Sequence, residues 1–346
     1  MSHHIQQHID QIVESFWRLN NATGLAVGVI CHLPHAEPVV WTYLLGATHN
    51  GGPQPSVHTI FQIGSITKTF TTSILADACS DTTMRLQDDA QQWAPLNVKL
   101  PTYDTWNTSS PIRLEHLATQ TAALPMDPKN VPPEGGYSVE QMYRYLEYYA
   151  LAVEPGTSWN YSNTGFGLLA NLLISAAKEP SYESLLIDFL RRGKFHMPDT
   201  RITLTPEQNK RLAQGYSAPG VVAKRRTDTW PAFDGSGALY SSLNDMLVWL
   251  EFNLSTQPCP MDRIRPLINT ICFNDGVHRM SLAWQQYTFN GSGVPYWGKG
   301  GGTNGYASYI ARATEIGCGV VALTNSVWAY PKPLATSILS ILQESL

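Results

Sequence analysis

The sequence predicts an α+β fold in which one antiparallel β-sheet is built from both chain ends and is flanked by helices, with a mostly helical region inserted between its halves. Two observations lead to this prediction. Runs with strand character lie near both termini, and most periodic segments between them are helical. We expect a single domain spanning residues 1–346, in which a helical subdomain at about 81–275 is inserted between the sheet-forming segments 1–80 and 276–346.

The first part of the chain predicts one helix followed by three strands. Apolar side chains recur at spacings of three and four over residues 5–20, which is typical of one face of an amphipathic helix. Three runs rich in β-branched and aromatic residues follow, separated by Pro, Gly and Asn. They are predicted to be strands joined by hairpin-type connections: 24–30, 39–46 and 59–64.

The rest of the chain predicts helices first and strands last. Between residues 66 and 275 the periodic segments with helical spacing are separated by proline-rich loops: 66–79, 138–151, 164–178, 181–192 and 242–254. Three further runs near the C-terminus have strand character: 281–289, 306–312 and 318–326. A closing helix is predicted over 333–346.

Composition and charge exclude several classes of protein. With 346 residues, of which 43% are hydrophobic and 14% charged, the chain can bury a large core. The net charge of −4 and the scattered basic residues argue against nucleic acid as a partner. No apolar run approaches the roughly 20 residues of a membrane-spanning helix, and the first residues lack the pattern of a secretory signal. We expect a soluble, cytoplasmic protein with no membrane partner.

The cysteine and histidine patterns indicate neither a disulfide framework nor a metal site. The chain has no Cys-x-x-Cys and no His-Glu-x-x-His motif. Its cysteines are odd in number and widely spaced: Cys31, Cys79, Cys259, Cys272 and Cys318. We expect all of them to be reduced thiols in the core, and we expect no metal and no cofactor.

A Ser-x-x-Lys motif occurs where an apolar, strand-like run gives way to a helix, in FQIGSITKTF. Ser65 would lie at a helix N-terminus, where unpaired N–H groups favour negative charge on its hydroxyl. Lys68 returns to the same helix face and can bring its ammonium to that oxygen. The alternative is a helix N-cap serine beside a solvated lysine. A second copy, Ser175 to Lys178, lies inside a helical run and is not expected to react.

Two further segments carry residues that suit the same chemistry. Tyr161 and Asn163 form the only Tyr-x-Asn of the chain, in a loop just before a helix. A phenol acts as a base when nearby cations favour its ionised form, and the alternative is a buried tyrosine that caps a loop. Lys299 precedes three glycines and the strand that begins at Tyr306. Such glycines allow a backbone to approach a ligand closely, and a glycine-rich hairpin turn is the alternative.

Ser-x-x-Lys, Tyr-x-Asn and Lys-Gly-Gly, in this order, resemble the serine β-lactamase and penicillin-binding-protein superfamily, and the tyrosine motif resembles its class C branch. The likeness extends from about residue 24 to the C-terminus. It includes LQDDAQQWAPLNVKLP, IRLEHLATQTAALP, EPGTSWNYSNTGFGLLANLL, HMPDTRITLTPEQNKRLAQGY and GSGALYSSLNDMLVWL. The resemblance implies a β-lactamase/transpeptidase-like fold and an acyl-enzyme mechanism that needs no metal.

The resemblance also implies roles for individual residues. Ser65 would be the acylated nucleophile and Lys68 its proton-accepting or electrostatic partner. Tyr161 would be the general base that later activates water or an acceptor alcohol. Asn163 would hold Lys68 and the substrate amide. Lys299 would support the tyrosine electrostatically and meet any anionic group of the substrate.

The same resemblance implies which groups contact the substrate. The backbone N–H groups of Ser65 and Gly302 would form the oxyanion hole. Substrate-binding residues are predicted around it: Gly300, Gly301, Trp297, Tyr306 and Gln120. Tyr296, with Trp297 and Tyr306, suggests an aromatic-lined pocket, and core aromatic residues at strand ends are the alternative.

The chain departs from the family pattern at two places. The residue after the motif lysine is usually Thr or Ser, whose hydroxyl helps to bind a substrate carboxylate, and here it is Gly300. Losing that donor is expected to weaken recognition of penicillin or of a peptide C-terminus by about 1–3 kcal/mol. Gln120 and two alanines stand where the family often has His or Tyr and glycines, so we expect a reshaped loop beside the pocket.

These residues together predict a serine hydrolase that forms an acyl-enzyme on Ser65 and cleaves an ester or amide of a small molecule. One alternative is an acyltransferase that moves the acyl group of an ester, amide or acyl thioester to a secondary-metabolite alcohol through the same intermediate. Another is a non-catalytic binding protein that retains the fold. The missing Gly-x-Ser-x-Gly elbow argues against an α/β-hydrolase.

Overall fold

The computed structural model describes residues 2–32, 37–132, 135–224, 230–254 and 258–346. The α-helices in these ranges are α1 Ser2–Asn20, α2 Thr67–Ser80, α3 Leu114–Ala118, α4 Val139–Glu147, α5 Asn163–Ala177, α6 Tyr182–Arg192, α7 Pro206–Lys210, α8 Asp234–Gly237, α9 Leu243–Leu254, α10 Arg265–Asn269 and α11 Lys332–Ser345. Within the same ranges, every helix is too short or too polar to span a lipid bilayer.

The strands fall into one large sheet and three two-stranded pairs. They are β1 Gly24–Cys31, β2 Val39–Gly46, β3 Ile60–Gln62, β4 Thr102–Asp104, β5 Ser109–Pro111, β6 Tyr216–Ala218, β7 Val221–Val222, β8 Tyr240–Ser242, β9 Phe273–Asn274, β10 Arg279–Met280, β11 Gln285–Thr288, β12 Pro295–Gly302, β13 Ala307–Ala313 and β14 Cys318–Thr324. The pairs are β3 with β8, β4 with β5 and β6 with β7.

The large sheet has eight antiparallel strands in the order β2-β1-β14-β13-β12-β11-β10-β9. The first strand of the chain therefore pairs with the last, and Val29 lies opposite Val320. This arrangement confirms the predicted α+β fold with a sheet built from both chain ends. The helices between β3 and β9 lie in the middle of the sequence, as the helical periodicity indicated.

Helices cover both faces of the sheet. Val27 and Val29 of β1 belong to the core formed with Ile9 of α1 and with α11. Ala26 and Ile30, the alternating residues of the same strand, belong to the core on the other face, which includes α2 and α9. Because both faces are covered, every residue of β1, β13 and β14 is buried. The mostly apolar sequences of β1 and β14 follow from this double burial, and β13 also buries Ser308 and Arg312.

Two segments differ from the predicted strands. The run 59–64 forms only the short strand β3, which pairs with β8 and not with the large sheet. Its chain turns at Gly64, whose φ of 50° favours glycine. The segment PYWGKGGG forms strand β12. Its glycines therefore do not form the hairpin turn that was the alternative interpretation. Its glycines give a weak strand signal, and pairing with β11 and β13 on its two sides overrides that weakness.

The expectation that all the cysteines are reduced is wrong for Cys31 and Cys318. These residues lie directly opposite each other in β1 and β14, with Cα atoms 4.2 Å apart, and are joined by a disulfide. Their separation in sequence is 287 residues, so the pairing becomes visible only when the first and last strands are known to be neighbours. Cys79, Cys259 and Cys272 are free.

The disulfide predicts the number of thiols that react in the denatured chain. Alkylation in denaturant without reductant is expected to modify the 3 free cysteines and to leave the other two intact, as measured by intact mass. Prior reduction should add two further modifications. Alkylation of all the cysteines without reductant would contradict the cross-strand disulfide.

Candidate active site

Ser65 lies on a short 3₁₀ turn between β3 and α2. Ile63 and Ile66, on either side, are completely buried and fix the turn in the core, while Ser65 keeps part of its side chain exposed. A Cβ at Gly64 would lie 2.7 Å from the backbone nitrogen of Gly302. The turn that carries Ser65 is therefore in direct backbone contact with the end of β12.

Lys68 lies in the first turn of α2 and is completely buried. Its Nζ donates hydrogen bonds to Ser65 Oγ at 3.1 Å, Asn163 Oδ1 at 2.8 Å and the carbonyl oxygen of Ser236 at 2.6 Å. Burial lowers the pKa of Lys68 to about 7, against an opposing effect of the Asp127 carboxylate. Part of the Lys68 population is therefore uncharged near neutral pH.

Tyr161 reaches Ser65 from the loop that precedes α5. Its Oη donates a hydrogen bond to Ser65 Oγ. The next residue, Ser162, is the N-cap of α5: its Oγ accepts a backbone N–H of the first turn at 2.8 Å and donates to the Pro125 carbonyl at 2.7 Å. Because Tyr161 and Asn163 flank this cap, one local motif fixes the position of both.

Lys299 on β12 brings a second buried amine to the same place. Its Nζ lies 5.1 Å from the centre of the Tyr161 ring, and Lys68 Nζ lies 4.9 Å from the same centre. Burial lowers the pKa of Lys299 to about 8; the nearby Tyr161 opposes this shift and the Lys68 charge adds to it. Two amines with lowered pKa values therefore flank one phenol.

The glycines after Lys299 allow β12 to pack closely on the turn of Ser65. A Cβ at Gly301 would collide with the carbonyl oxygen of Ile63, so a larger side chain would separate the strand from the turn. The predicted oxyanion hole requires the N–H groups of Ser65 and Gly302 to lie close together. The packing brings these two backbone segments together, and their role stays a prediction.

The structure thus brings together the hydroxyl, two amines, phenol and amide that the sequence singled out: Ser65, Lys68, Lys299, Tyr161 and Asn163. Their catalytic roles stay predictions. In the described part of the chain, no group of three or more His, Cys, Asp or Glu side chains could hold a metal ion.

Gln120, predicted to bind substrate, is buried beside the tyrosine loop and exposes 2% of its surface. Its Oε1 accepts a hydrogen bond from Ser162 N at 2.6 Å, and its carbonyl oxygen accepts one from Asn160 N at 2.8 Å. These two bonds hold the loop that carries Tyr161. The contacts of Gln120 are thus with the protein backbone on both sides of the tyrosine.

The aromatic residues predicted to line the pocket make packing contacts. Trp297 and Tyr306 are buried. Trp297 lies over the guanidinium of Arg312 at 5.4 Å, and Tyr306 Oη donates to the carbonyl oxygen of Ala213 at 2.5 Å. Tyr296 stacks on a neighbouring tyrosine at 5.2 Å. These contacts agree with the alternative interpretation of all three as core aromatic residues.

The model of the family described as Beta-lactamase matches residues 9–342. The chain belongs to the beta-lactamase family.

Relatives in the beta-lactamase family include a carboxypeptidase and a beta-lactamase. The D-alanyl-D-alanine-carboxypeptidase/endopeptidase AmpH of Escherichia coli strain K12 is 31% identical over 72% of this chain and 62% of that protein. The chain therefore spans less than two thirds of the length of AmpH. A beta-lactamase of Pseudomonas fluorescens is 26% identical over 93% of this chain and 93% of its own length. Such relatives support a serine hydrolase at the level of the family.

Solved structures of the beta-lactamase family share the fold. The beta-lactamase/D-alanine carboxypeptidase of Yersinia pestis has a TM-score of 0.84 and 26% sequence identity, and the similarity covers 98% of each chain. The resemblance inferred from the three motifs and their order is thereby confirmed.

The space beside Gly300, the residue that follows Lys299, is filled by a side chain from another part of the chain. Gly300 stands where beta-lactamase-family chains usually have Thr or Ser. A Cβ at Gly300 would collide with the hydroxyl of Tyr330, a residue between β14 and α11 that is 44% exposed. The Tyr330 hydroxyl therefore occupies the space of the missing side chain.

Sequence reasoning missed two groups that bond directly to predicted site residues. The carbonyl oxygen of Ser236, in the one-turn helix α8, accepts a hydrogen bond from Lys68. Asp127 Oδ1 accepts one from Asn163 Nδ2 at 3.1 Å. A backbone carbonyl has no sequence signature, and Asp127 belongs to none of the three motifs.

Trp159 was also missed, although it lies two residues before Tyr161 in the quoted segment WNYSN. Its ring stacks on His278 with centres 4.2 Å apart and planes at 11°, and lies 6.4 Å from the Tyr161 ring. His278 is in turn held by Asp275, with Nδ1 and Oδ2 3.1 Å apart. A flat aromatic surface therefore stands beside the catalytic candidates of this beta-lactamase-family site.

Proposed function

We propose that this protein is a serine hydrolase that forms an acyl-enzyme on Ser65 and cleaves an ester or amide of a small molecule. The observation that carries the proposal is that Ser65 Oγ is hydrogen-bonded both to the buried amine of Lys68 and to the phenol of Tyr161. A serine hydroxyl attacks a carbonyl efficiently when a neighbouring base accepts its proton. Two candidates for that base contact the hydroxyl.

The other partners of Lys68 favour it as the base of the acylation step. Asn163 Oδ1 and the Ser236 carbonyl oxygen can only accept hydrogen bonds, so they occupy two N–H groups of the amine. A neutral amine then has its lone pair left for the third contact, the Ser65 hydroxyl at 3.1 Å. The Ser65 proton would pass to Nζ as Oγ bonds to the substrate carbonyl carbon.

Tyr161 is proposed to return that proton. As the tetrahedral intermediate collapses, the departing oxygen or nitrogen would take a proton relayed from Lys68 through the phenol that contacts Ser65 Oγ. In the second half-reaction a water attacks the acyl carbon and gives a proton to the same pair, and Ser65 then regains its hydrogen. The N–H groups of Ser65 and Gly302 would stabilise the oxyanion in both steps.

The charge beside Asn163 supports a substrate that lacks a carboxylate in its acyl group. Asp127 places a negative charge next to Asn163, and like charges disfavour binding. Gly300 lacks the hydroxyl with which family members bind a carboxylate, but the Tyr330 hydroxyl occupies the same space and can donate a hydrogen bond there. Asp127 is therefore the feature that favours neutral or cationic acyl groups in esters and amides.

The two lowered lysine pKa values predict a narrow pH optimum. Activity requires the neutral form of Lys68, so kcat/KM for a neutral ester is expected to rise through its pKa of about 7. The positive charge of Lys299 is lost above its pKa of about 8, so activity should fall again at higher pH. A kcat/KM profile that stays flat across both pKa values would contradict this assignment.

Intact-mass spectrometry with activated esters and a fluorophosphonate tests the proposal. We expect one acyl or phosphonyl group per chain, located by digestion to the peptide that contains Ser65, and acyl groups that are later released as free acid. A protein that stays unmodified by every donor would refute the proposal and favour a non-catalytic binding protein.

Transfer of the acyl group to an alcohol is a second candidate, because Trp159 stacked on His278 offers a flat surface next to Tyr161. An apolar or polycyclic alcohol could pack there and replace water in the second half-reaction. Measuring free acid and ester product with and without added alcohols separates the two functions. Transfer product in excess over free acid would favour the acyltransferase.

A further inference from the structure

We propose that Asp127 binds a protonated amine of the substrate, so that the preferred acyl donors are esters or amides of amino acids with a free amino group. This inference rests on the proposed acyl-enzyme at Ser65 and specifies the substrate class of the same site.

Asp127 is linked to the nucleophile by a short series of hydrogen bonds. Its Oδ1 accepts from Asn163 Nδ2 at 3.1 Å, and Oδ1 of the same amide accepts from Lys68 Nζ at 2.8 Å. Lys68 Nζ contacts Ser65 Oγ at 3.1 Å. The carboxylate therefore lies one amide side chain beyond the amine that contacts the reacting oxygen.

The segment that carries Asp127 is fixed to the catalytic loop. The carbonyl oxygen of Met126 accepts a hydrogen bond from Asn163 N at 2.8 Å, and the carbonyl oxygen of Pro125 accepts one from Ser162 Oγ at 2.7 Å. Because Ser162 also caps α5, the carboxylate shares one frame with Tyr161 and Asn163. A charge held in this way can recognise a ligand without a large ordering cost.

The charge of Asp127 is available to a ligand. The side chain is exposed, and none of the salt bridges in the described part of the chain includes it. Lys68, the nearest cation of the series, is buried and already bonded to three oxygens. Charge-assisted hydrogen bonds between an ammonium and a carboxylate are among the strongest polar contacts.

An amino group next to the scissile carbonyl is the cation that an acyl group can hold nearest to Ser65. In an α-amino acyl group the nitrogen lies about 2.5 Å from the carbonyl carbon. With that carbon bonded to Ser65 Oγ, we assign the contact of the ammonium, about 2.8 Å in a salt bridge, to the Asp127 carboxylate, which is linked to Lys68 through Asn163. A carboxylate in the same place would be repelled by Asp127.

The test compares glycyl and propionyl 4-nitroanilides, whose acyl groups differ only by an ammonium in place of a methyl. Asp127→Asn keeps the size and an acceptor for Asn163 but removes the charge. We expect its kcat/KM to fall about 10- to 100-fold for the glycyl substrate and less than about threefold for the propionyl substrate. The glycyl-to-propionyl ratio cancels any effect of the substitution on Lys68, which both substrates share.

Two further variants complete the experiment. Asp127→Glu keeps the charge and is expected to recover part of the glycyl preference. Glu140→Gln removes another exposed carboxylate, on α4, and should leave kcat/KM for both substrates unchanged. Added salt should lower the glycyl-to-propionyl ratio of the wild type and not that of Asp127→Asn.

The outcomes distinguish this inference from the proposed hydrolase. If Asp127→Asn lowers kcat/KM equally for both substrates, Asp127 only positions Asn163 and the inference is wrong. If the wild type is acylated on Ser65 by propionyl donors but its ratio equals that of Asp127→Asn, the hydrolase stands and the inference fails. If neither anilide reacts while an activated ester acylates Ser65, the hydrolase stands and the inference fails. If no donor, including the activated esters and the fluorophosphonate, modifies Ser65, the proposed function fails, and the inference fails with it.

Discussion

Replacing Ser65 with alanine is expected to abolish covalent labelling and to lower kcat/KM for a neutral activated ester by a factor of about 10³ or more. The substitution removes the oxygen that contacts both Lys68 Nζ and Tyr161 Oη. Lys68 keeps its bonds to Asn163 and Ser236, so the variant should remain folded. Intact mass, steady-state kinetics and thermal unfolding measure the three effects separately.

The second Ser-x-x-Lys motif supplies a matched control. Ser175 lies in the last turn of α5 and Lys178 is the C-cap of that helix, and both are exposed. Ser175→Ala removes the same hydroxyl from the same four-residue pattern and should leave labelling and kcat/KM unchanged. A label that persists in Ser65→Ala would show that a different residue is acylated.

The contrast between the two motifs shows how much of the site local sequence can predict. The change from a strand-like run to a helix at Gly64 indicated that Ser65 precedes a helix, whereas periodicity on both sides put Ser175 inside one. The structure has Ser65 on the turn that leads into α2 and Ser175 within α5. Element prediction alone therefore separated the two serines.

The meeting of distant segments could not be derived from the residues themselves. Tyr161 contacts Ser65 across 96 positions of sequence, and Lys299 reaches the same phenol only because β12 lies between β11 and β13. For each segment a structural alternative was open, a loop-capping tyrosine or a hairpin turn. The family resemblance supplied the expectation of a common site, and the contacts in the structure supply its geometry.

The remaining features that the sequence did not predict involve groups without a sequence signature. The Ser236 carbonyl is a backbone atom, and the Cys31–Cys318 pair depends on the pairing of the first strand with the last. Gln120 has the polar side chain of a binding residue, but its left-handed φ of 67° and its bonds to the loop turn it toward the backbone. Each of these features follows from tertiary packing and not from a local pattern.

Replacing Lys68 with methionine is expected to lower kcat/KM for neutral esters by about 10²- to 10⁴-fold and to remove the rise in activity near pH 7. Methionine fills a similar volume but has no lone pair to accept the Ser65 proton. Tyr161 still contacts Ser65, so slow residual labelling should remain. Lys178→Met is the matched control and should change neither quantity. A rise near pH 7 that survives in Lys68→Met would assign it to another group.

The same variant tests whether the buried amine destabilises the fold. Burial lowers the pKa of Lys68 from 10.5 to about 7, so between these values the unfolded chain binds more protons than the folded protein. The stability of the wild type should therefore rise with pH from about 7 toward 10.5, and the full cost of burying the cation is present below about 7.

Lys68→Met lacks this cost, although it leaves Asn163 Oδ1 and the Ser236 carbonyl without their donor at every pH. Its free energy of unfolding relative to the wild type should be most favourable below pH 7 and should decline at alkaline pH, as measured by urea denaturation. A difference that does not change with pH would show that burial of Lys68 carries no such cost.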